Sequence, residues 1–221
     1  MNRKTQPVLG RRERGKLDRR SRIRAAASEL FAQLGYDAAT LRQIAHRAHV
    51  GLGTLFNYAD DKRDLVFLIF NEELDGLTDA ALGLPRPDDP LVDQLLALAG
   101  VHYRHFAAQP ALARILLQEL TFYSQGKQAA AFLKIRQRLI DGIEALVRNA
   151  QRDRRIRSQE NPKIVARLVF FVYSASLRWW IAAPRPDPEE GLADLRRLLA
   201  LQVQGLQPAA AGRARRKSRR A

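Results

Sequence analysis

Between Thr40 and Lys62 the chain carries side chains suited to hydrogen bonding with phosphates and base edges: Thr40, Arg42, Arg47, Thr54, Asn57, Tyr58 and Lys62. Arg and Lys bring positive charge to phosphate oxygens, and Thr and Tyr hydroxyls can bond the same atoms. Asn has the donor–acceptor pair that matches adenine, and the Thr methyl matches that of thymine. Gly53 has no side chain, so the backbone there can lie close to a partner. This is binding chemistry and not bond-breaking chemistry. The chain has no phosphate loop, no H-E-x-x-H, no G-x-S-x-G and no recognisable paired-carboxylate motif, so nothing in it motivates an enzyme or a cofactor. It also has no cysteine, which excludes disulfides, thiolate catalysis, thiol redox sensing and Cys-based zinc sites.

The elements that would hold these groups are short. Thr40-Leu41-Arg42-Gln43 predicts a capping box, with the Thr hydroxyl accepting a backbone N–H and the Gln reaching back to the cap. Leu41, Ile44, Ala45 and Ala48 then share one face of a helix barely two turns long. A break is expected at His49-Val50-Gly51, with Gly supplying backbone freedom, and a second helix from about Leu52 to Tyr58. Two short helices so joined form a helix–turn–helix, which places its second helix in the DNA major groove. The free N–H groups at the start of the first would attract a phosphate, with Arg42 and Arg47 near enough to add charge. Leu55 and Tyr58 also fit packing between helices.

The stretch from Arg24 to Leu65 resembles the DNA-binding domain of the tetracycline-repressor (TetR) family. The resemblance rests on AAASELFAQLGYDAAT, IAHRAHV and GTLFNYADDKRDL, with Gly53-Thr54-Leu55-Phe56, Tyr58, Lys62 and Leu65 matching in order and spacing. Ala59 stands where the family usually carries Phe, Gly51 where Ser is commoner, and Phe56 where Tyr is commoner. The resemblance implies that Thr40, Arg42, Arg47, Gly53, Thr54, Phe56, Asn57, Tyr58 and Lys62 meet DNA, with Lys62 on a phosphate at the start of the fourth helix. It covers about a quarter of the chain.

The whole sequence reads as all-α, about nine helices. A first helix is expected from about Leu17 to Leu34, with Ile23, Ala26, Ala27, Leu30, Phe31 and Leu34 as its apolar stripe and Gly35 as its cap. A fourth helix is capped by Asp61 and reaches about Leu82, and Pro85, Pro87 and Pro90 mark a break. Helices follow over about 91–108, 111–120, 128–151, 162–183 and 188–205, the fourth of these announced by Asn161-Pro162. Apolar residues on two faces place the 128–151 helix centrally. The organisation expected is a basic flexible arm (1–16), a helix–turn–helix domain (17–77), a helical effector-binding and dimerisation domain (78–207) and a basic disordered tail (208–221).

Charge supports this division. Of a net +15, residues 1–20 hold eight Lys/Arg against two acids, and 209–221 hold six against none. The body is therefore nearly neutral and the basicity lies at the two ends, as solvated runs or as sequence-blind attraction for DNA phosphate. No signal-peptide pattern precedes the body, and the most apolar stretch, Ile164 to Ala183, contains Arg167 and Arg178. A soluble cytoplasmic protein without membrane contact is expected.

By the same resemblance the protein would be a homodimer on a palindromic operator in double-stranded DNA, its half-sites about 34 Å or a multiple of that apart. Two helices from each subunit would form the seam, for which Ser174, Ala175, Leu192, Leu195 and Leu199 are candidates, the alternative being that they complete the monomer's own core. A small-molecule effector would bind the larger domain. His102, Phe106, Glu119, Phe122, Tyr123, Tyr173 and Trp180 are candidate contacts, and an apolar or aromatic effector is the default. His102 also fits a core histidine bonded to a backbone carbonyl, and Glu119 a solvated acid. His102-x-x-His105 and His46-x-x-His49 lack further ligands, so no metal is expected. The function this predicts is a repressor released from its operator by its effector. The alternative is a basic architectural DNA-binding protein with little sequence selectivity.

Overall fold

The computed structural model describes residues 10–156 and 160–205. The expected basic tail, the last two residues of the expected effector-binding domain and the first nine residues of the expected arm lie outside the described residues. Nine α-helices and no strand occur among the described residues: α1 Arg11–Leu34, α2 Leu41–Arg47, α3 Leu52–Phe56, α4 Lys62–Leu82, α5 Leu91–Ala108, α6 Pro110–Glu119, α7 Ala129–Arg152, α8 Pro162–Ile181 and α9 Pro188–Gly205. A single 3-10 turn, Leu120–Phe122, extends α6.

The helix starts follow capping chemistry. The Thr40 backbone N–H donates to Gln43 Oε1 at 2.9 Å, and the Gln43 N–H donates to Thr40 Oγ1 at 3.3 Å, closing the predicted box. Asp61 Oδ1 accepts the Asp64 N–H at 2.6 Å at the start of α4, and Asn161 Oδ1 accepts the Lys163 N–H at 2.9 Å before α8. Gly35 ends α1 at φ +80°, a backbone that disfavours a Cβ, and its N–H bonds the Phe31 carbonyl.

Two expectations change here. α1 starts at Arg11, so Arg11–Lys16, expected to be a flexible arm, is helical. Arg, Lys and Glu are good helix formers and need no core to stay helical once the helix is nucleated behind them, which a search for an apolar stripe misses. The chain reversal before α3 falls at His49, with φ +51°, and not at Gly51, whose backbone is extended and whose carbonyl accepts the Thr54 and Leu55 N–H groups. The Arg22 guanidinium holds that reversal by donating to the carbonyls of Ala48 at 3.0 Å and His49 at 3.3 Å.

The chain divides into two compact units, residues up to Asp79 with His105–Gln137, and Ala80–Arg104 with residues from Arg138 onward. In the first unit Ile23, Ala26, Ala27 and Phe31 of α1 meet Ile44, Ala45, Leu55, Leu65, Leu68 and Ile69 in a closed apolar core. Each of the Ile, Leu and Phe side chains, fully buried, contributes about 1.5–3 kcal/mol. Ala59 is completely buried, so the short side chain at this position is packed on all sides. Leu34, expected in the α1 stripe, is exposed, because the helix ends at that residue.

In the second unit α8 and α9 pack together through Val165, Val169, Tyr173, Leu177, Leu195 and Leu199. Gly191 lets α9 approach closely: a Cβ there would lie 2.5 Å from Trp180 Cδ1 and 2.6 Å from Tyr103 Cε1. The Tyr103 hydroxyl donates to Ser176 Oγ at 3.0 Å, and its ring lies 4.6 Å from that of Trp180. α8 is long and apolar enough to cross a membrane by length and composition alone, but its inner face is the core of this unit. α7 runs through both units: of its first expected face Phe132, Ile135, Leu139 and Ile143 are buried and Leu146 is half-buried, and of its second, Leu133, Ile140 and Val147, only Val147 is buried.

Candidate nucleic-acid interface

The helix–turn–helix rests on buried apolar anchors and turns its polar residues outward. Leu55 is fully buried, as are Ile44 and Ala45 in α2. Around them Thr40, Arg42, Gly53, Phe56 and Asn57 are exposed, and Thr54 is half-buried. Exposed Thr, Asn and Arg at the ends of two short helices can donate to and accept from a polyanion's backbone and base edges.

Three predicted contacts are already engaged within the unit. The Tyr58 ring is buried, and its hydroxyl donates to the carbonyl of Lys16 at 3.1 Å, which ties the end of α3 to the beginning of α1. Lys62 donates to the carbonyl of Asp37 at 3.0 Å and sits 4.6 Å above the Tyr36 ring, so it braces the turn between α1 and α2. Arg47 pairs with Glu29 of α1. Sequence spacing cannot detect these bonds, because each partner lies well away in the chain.

Sequence reasoning missed the group that anchors α4. Asp64, almost wholly buried, accepts the backbone N–H groups of Asp60, Lys127 and Gln128, each at 2.9 Å, and the hydroxyl of Tyr123. Gly126, at φ +115°, makes room for it: a Cβ there would lie 2.8 Å from Asp64 Oδ1. The segment before α7 is bound further by Gln128 Nε2 to the Tyr58 carbonyl at 2.9 Å, Asn71 Nδ2 to the Gln128 carbonyl at 3.1 Å and a Lys127–Asp60 ion pair. Arg63 donates to the Glu119 carbonyl and pairs with the Glu119 carboxylate at 3.3 Å. A charged acceptor with several good donors is worth far more than an exposed ion pair. The result is a rigid joint between α3, the start of α4 and the α6–α7 connection.

The predicted effector contacts fall in both units. In the first, Phe106 and Tyr123 are buried, Glu119 is held by Arg63, and Phe122 is 85% exposed. In the second, His102, Tyr173 and Trp180 are buried, with His102 edge-on to Tyr173 at 5.9 Å and Trp180 Nε1 donating to the Asp187 carbonyl at 2.6 Å. Burial raises the phenols of Tyr103 and Tyr173 above their ordinary value.

Of the expected seam residues, Leu195 and Leu199 turn inward and complete the second unit's own core, which corrects their assignment. A stripe of leucines at helical spacing cannot say which of two apolar faces it serves. Ser174 and Leu192 are half-buried and Ala175 is exposed. The large apolar residues left exposed on these two helices are Ile164, Leu168, Phe171 and Trp179 of α8 and Leu198 and Leu201 of α9, with Trp179 at 86%. Monomers rarely leave so contiguous an apolar stripe open.

A short helix–turn–helix with an exposed second helix, on an otherwise all-helical chain, is the architecture of a DNA-reading regulator. The model of bacterial regulatory proteins of the tetR family matches residues 23–69, and that of the tetracyclin repressor-like C-terminal domain matches residues 88–202. The chain belongs to the TetR family. Over 58 residues, 26% of this chain, it is 41% identical to the HTH-type transcriptional regulator HbdR of Aromatoleum sp. (strain CIB); that match spans 25% of the relative's length. Its fold is similar to that of Thermus thermophilus FadR, a TetR-family transcriptional repressor solved in complex with lauroyl-CoA (26% identity, TM-score 0.65, 87% of this chain and 97% of that one). The fold also resembles Bacillus subtilis FadR, solved with stearoyl-CoA (19% identity, TM-score 0.66, 85% and 99%).

Proposed function

We propose that the protein is a dimeric, sequence-reading transcriptional repressor that a small molecule releases from DNA. The observation that carries this is α3: Gly53, Phe56 and Asn57 exposed and Thr54 half-buried on a helix anchored by a fully buried Leu55, within a domain matched by the family. Thr54 and Asn57 read bases, while Thr40 and Arg42 hold phosphates. Tyr58, Lys62 and Arg47 act on DNA through position, by fixing α3 and the α1–α2 turn. The dimer seam is formed by the exposed stripe Ile164, Leu168, Phe171 and Trp179 with Leu198 and Leu201, joined by Ala175. Such a regulator works in the cytoplasm.

For the effector, a fatty acyl-CoA is the class to test first, because the T. thermophilus relative was solved with lauroyl-CoA. The apolar and aromatic interior of the second unit around His102, Tyr173 and Trp180 supports an acyl chain as the buried part. An effector shifts the equilibrium only by binding the DNA-incompetent geometry more tightly. The test is fluorescence anisotropy on a duplex recovered by selection from random DNA, titrated with lauroyl-CoA. Release at micromolar ligand supports the acyl-CoA assignment. Release by other small molecules only would replace the effector class and leave the repressor standing.

A further inference from the structure

The first turns of α1 are rich in cations. Arg12, Lys16 and Arg19 recur at four- and three-residue spacing, which puts them on one face of the helix. That face lines an open groove of about 610 Å³, whose other walls include Thr54, Asn57 and Tyr58 of the α3 region. Arginines further along α1 are occupied elsewhere: Arg20 and Arg24 pair with Glu72, and Arg22 with Asp18 and the turn carbonyls. No described residue forms an ion pair with Arg12, Lys16 or Arg19. The groove also contains one carboxylate, Glu13.

We propose that this stripe is a second DNA-binding element, a cradle for the sugar–phosphate backbone beside the bases that α3 reads. It rests on the repressor assignment above and adds to it. The three cations span about 10 Å of helix at 1.5 Å per residue, and one DNA strand carries a phosphate about every 3.4 Å of axis, so the reach suits a run of about three phosphates. The Tyr58 hydroxyl on the Lys16 carbonyl fixes the stripe relative to α3, so phosphate binding and base reading are set by one rigid piece. Phosphate contacts position a protein without specifying sequence. The stripe therefore supplies affinity and register, and α3 supplies the choice of site.

The experiment uses the full-length protein and a duplex recovered by selection from random DNA, with binding followed across a salt series. Arg12→Ala/Lys16→Ala/Arg19→Ala should weaken binding at least about tenfold near physiological salt. It should also flatten the plot of log K against log salt by up to about 0.9 per lost phosphate contact in each subunit. The same sequence should still be selected, and the thermal melt should stay at the wild-type value. Glu13→Gln should tighten binding, since it removes a negative charge from the groove. An unchanged salt slope in the triple variant, with wild-type binding intact, overturns the proposal while leaving the repressor assignment untouched. A changed preferred sequence overturns the phosphate assignment in favour of base contact. Failure of the wild-type protein to select any sequence overturns the repressor assignment itself, and the cradle with it.

Discussion

Tyr123 lies flat on Phe67, ring centroids 3.6 Å apart and planes 1° from parallel, and its hydroxyl is held by the buried carboxylate of Asp64. One aromatic ring thus joins the α6–α7 connection to α4 through both an apolar face and a polar edge. Asp64→Ala removes the acceptor of four donors and should cost about 3 kcal/mol or more in denaturant unfolding. Tyr123→Phe keeps the stack and removes one charge-assisted bond, so its cost should be about 1.5 kcal/mol. Equal costs for the two variants would mean that the three backbone N–H bonds to Asp64 add nothing beyond the Tyr123 bond.

The close approach of α9 predicts a second stability effect. Gly191→Ala drives a methyl group into the Trp180 and Tyr103 rings, and overpacking of this kind costs typically about 1–3 kcal/mol. A calorimetric melt at or above the wild-type temperature would contradict the packing described.

The exposed and buried apolar residues of α8 and α9 should behave oppositely. Phe171→Asp or Leu201→Asp should yield a folded monomer by analytical ultracentrifugation. Leu195→Ala should lower stability by about 2–5 kcal/mol while the protein that remains folded still dimerises. Retention of the dimer in both charge variants would remove the α8–α9 face from the seam.

Alkaline pH should unfold the protein. Burial raises the phenols of Tyr36, Tyr103, Tyr123 and Tyr173, and the carboxylates of Glu119 and Asp64 add to the rise at Tyr36 and Tyr123. A folded-state value above the unfolded one, about 10, means that the stabilisation is complete below that pH and is lost as pH rises above it. Tyrosinate absorbance should therefore rise together with the loss of helical circular dichroism. Ordinary titration of these phenols with the helices intact would contradict their burial.

The sequence made the helices legible where local chemistry decides them. Thr40/Gln43, Asp61 and Asn161 are caps whose donors lie within three residues, and all three form as expected. What stayed hidden depends on distant partners: Asp64 waits for amides more than sixty residues away, and Tyr58 for a carbonyl in α1. Leu195 and Leu199 show the same limit, because periodicity marks an apolar face without naming what covers it. The length of α1 escaped for the opposite reason, since a charged helix has no stripe to count.

The most direct test of the central claim is selection of binding sites from random duplex DNA by the purified full-length protein, run beside Thr54→Ala/Asn57→Ala. The wild-type protein should enrich a palindrome with half-sites about one helical turn or a multiple of it apart. The double variant should lose that preference while remaining a dimer. No enriched sequence, or the same palindrome selected by the double variant, would contradict α3 as the element that reads DNA.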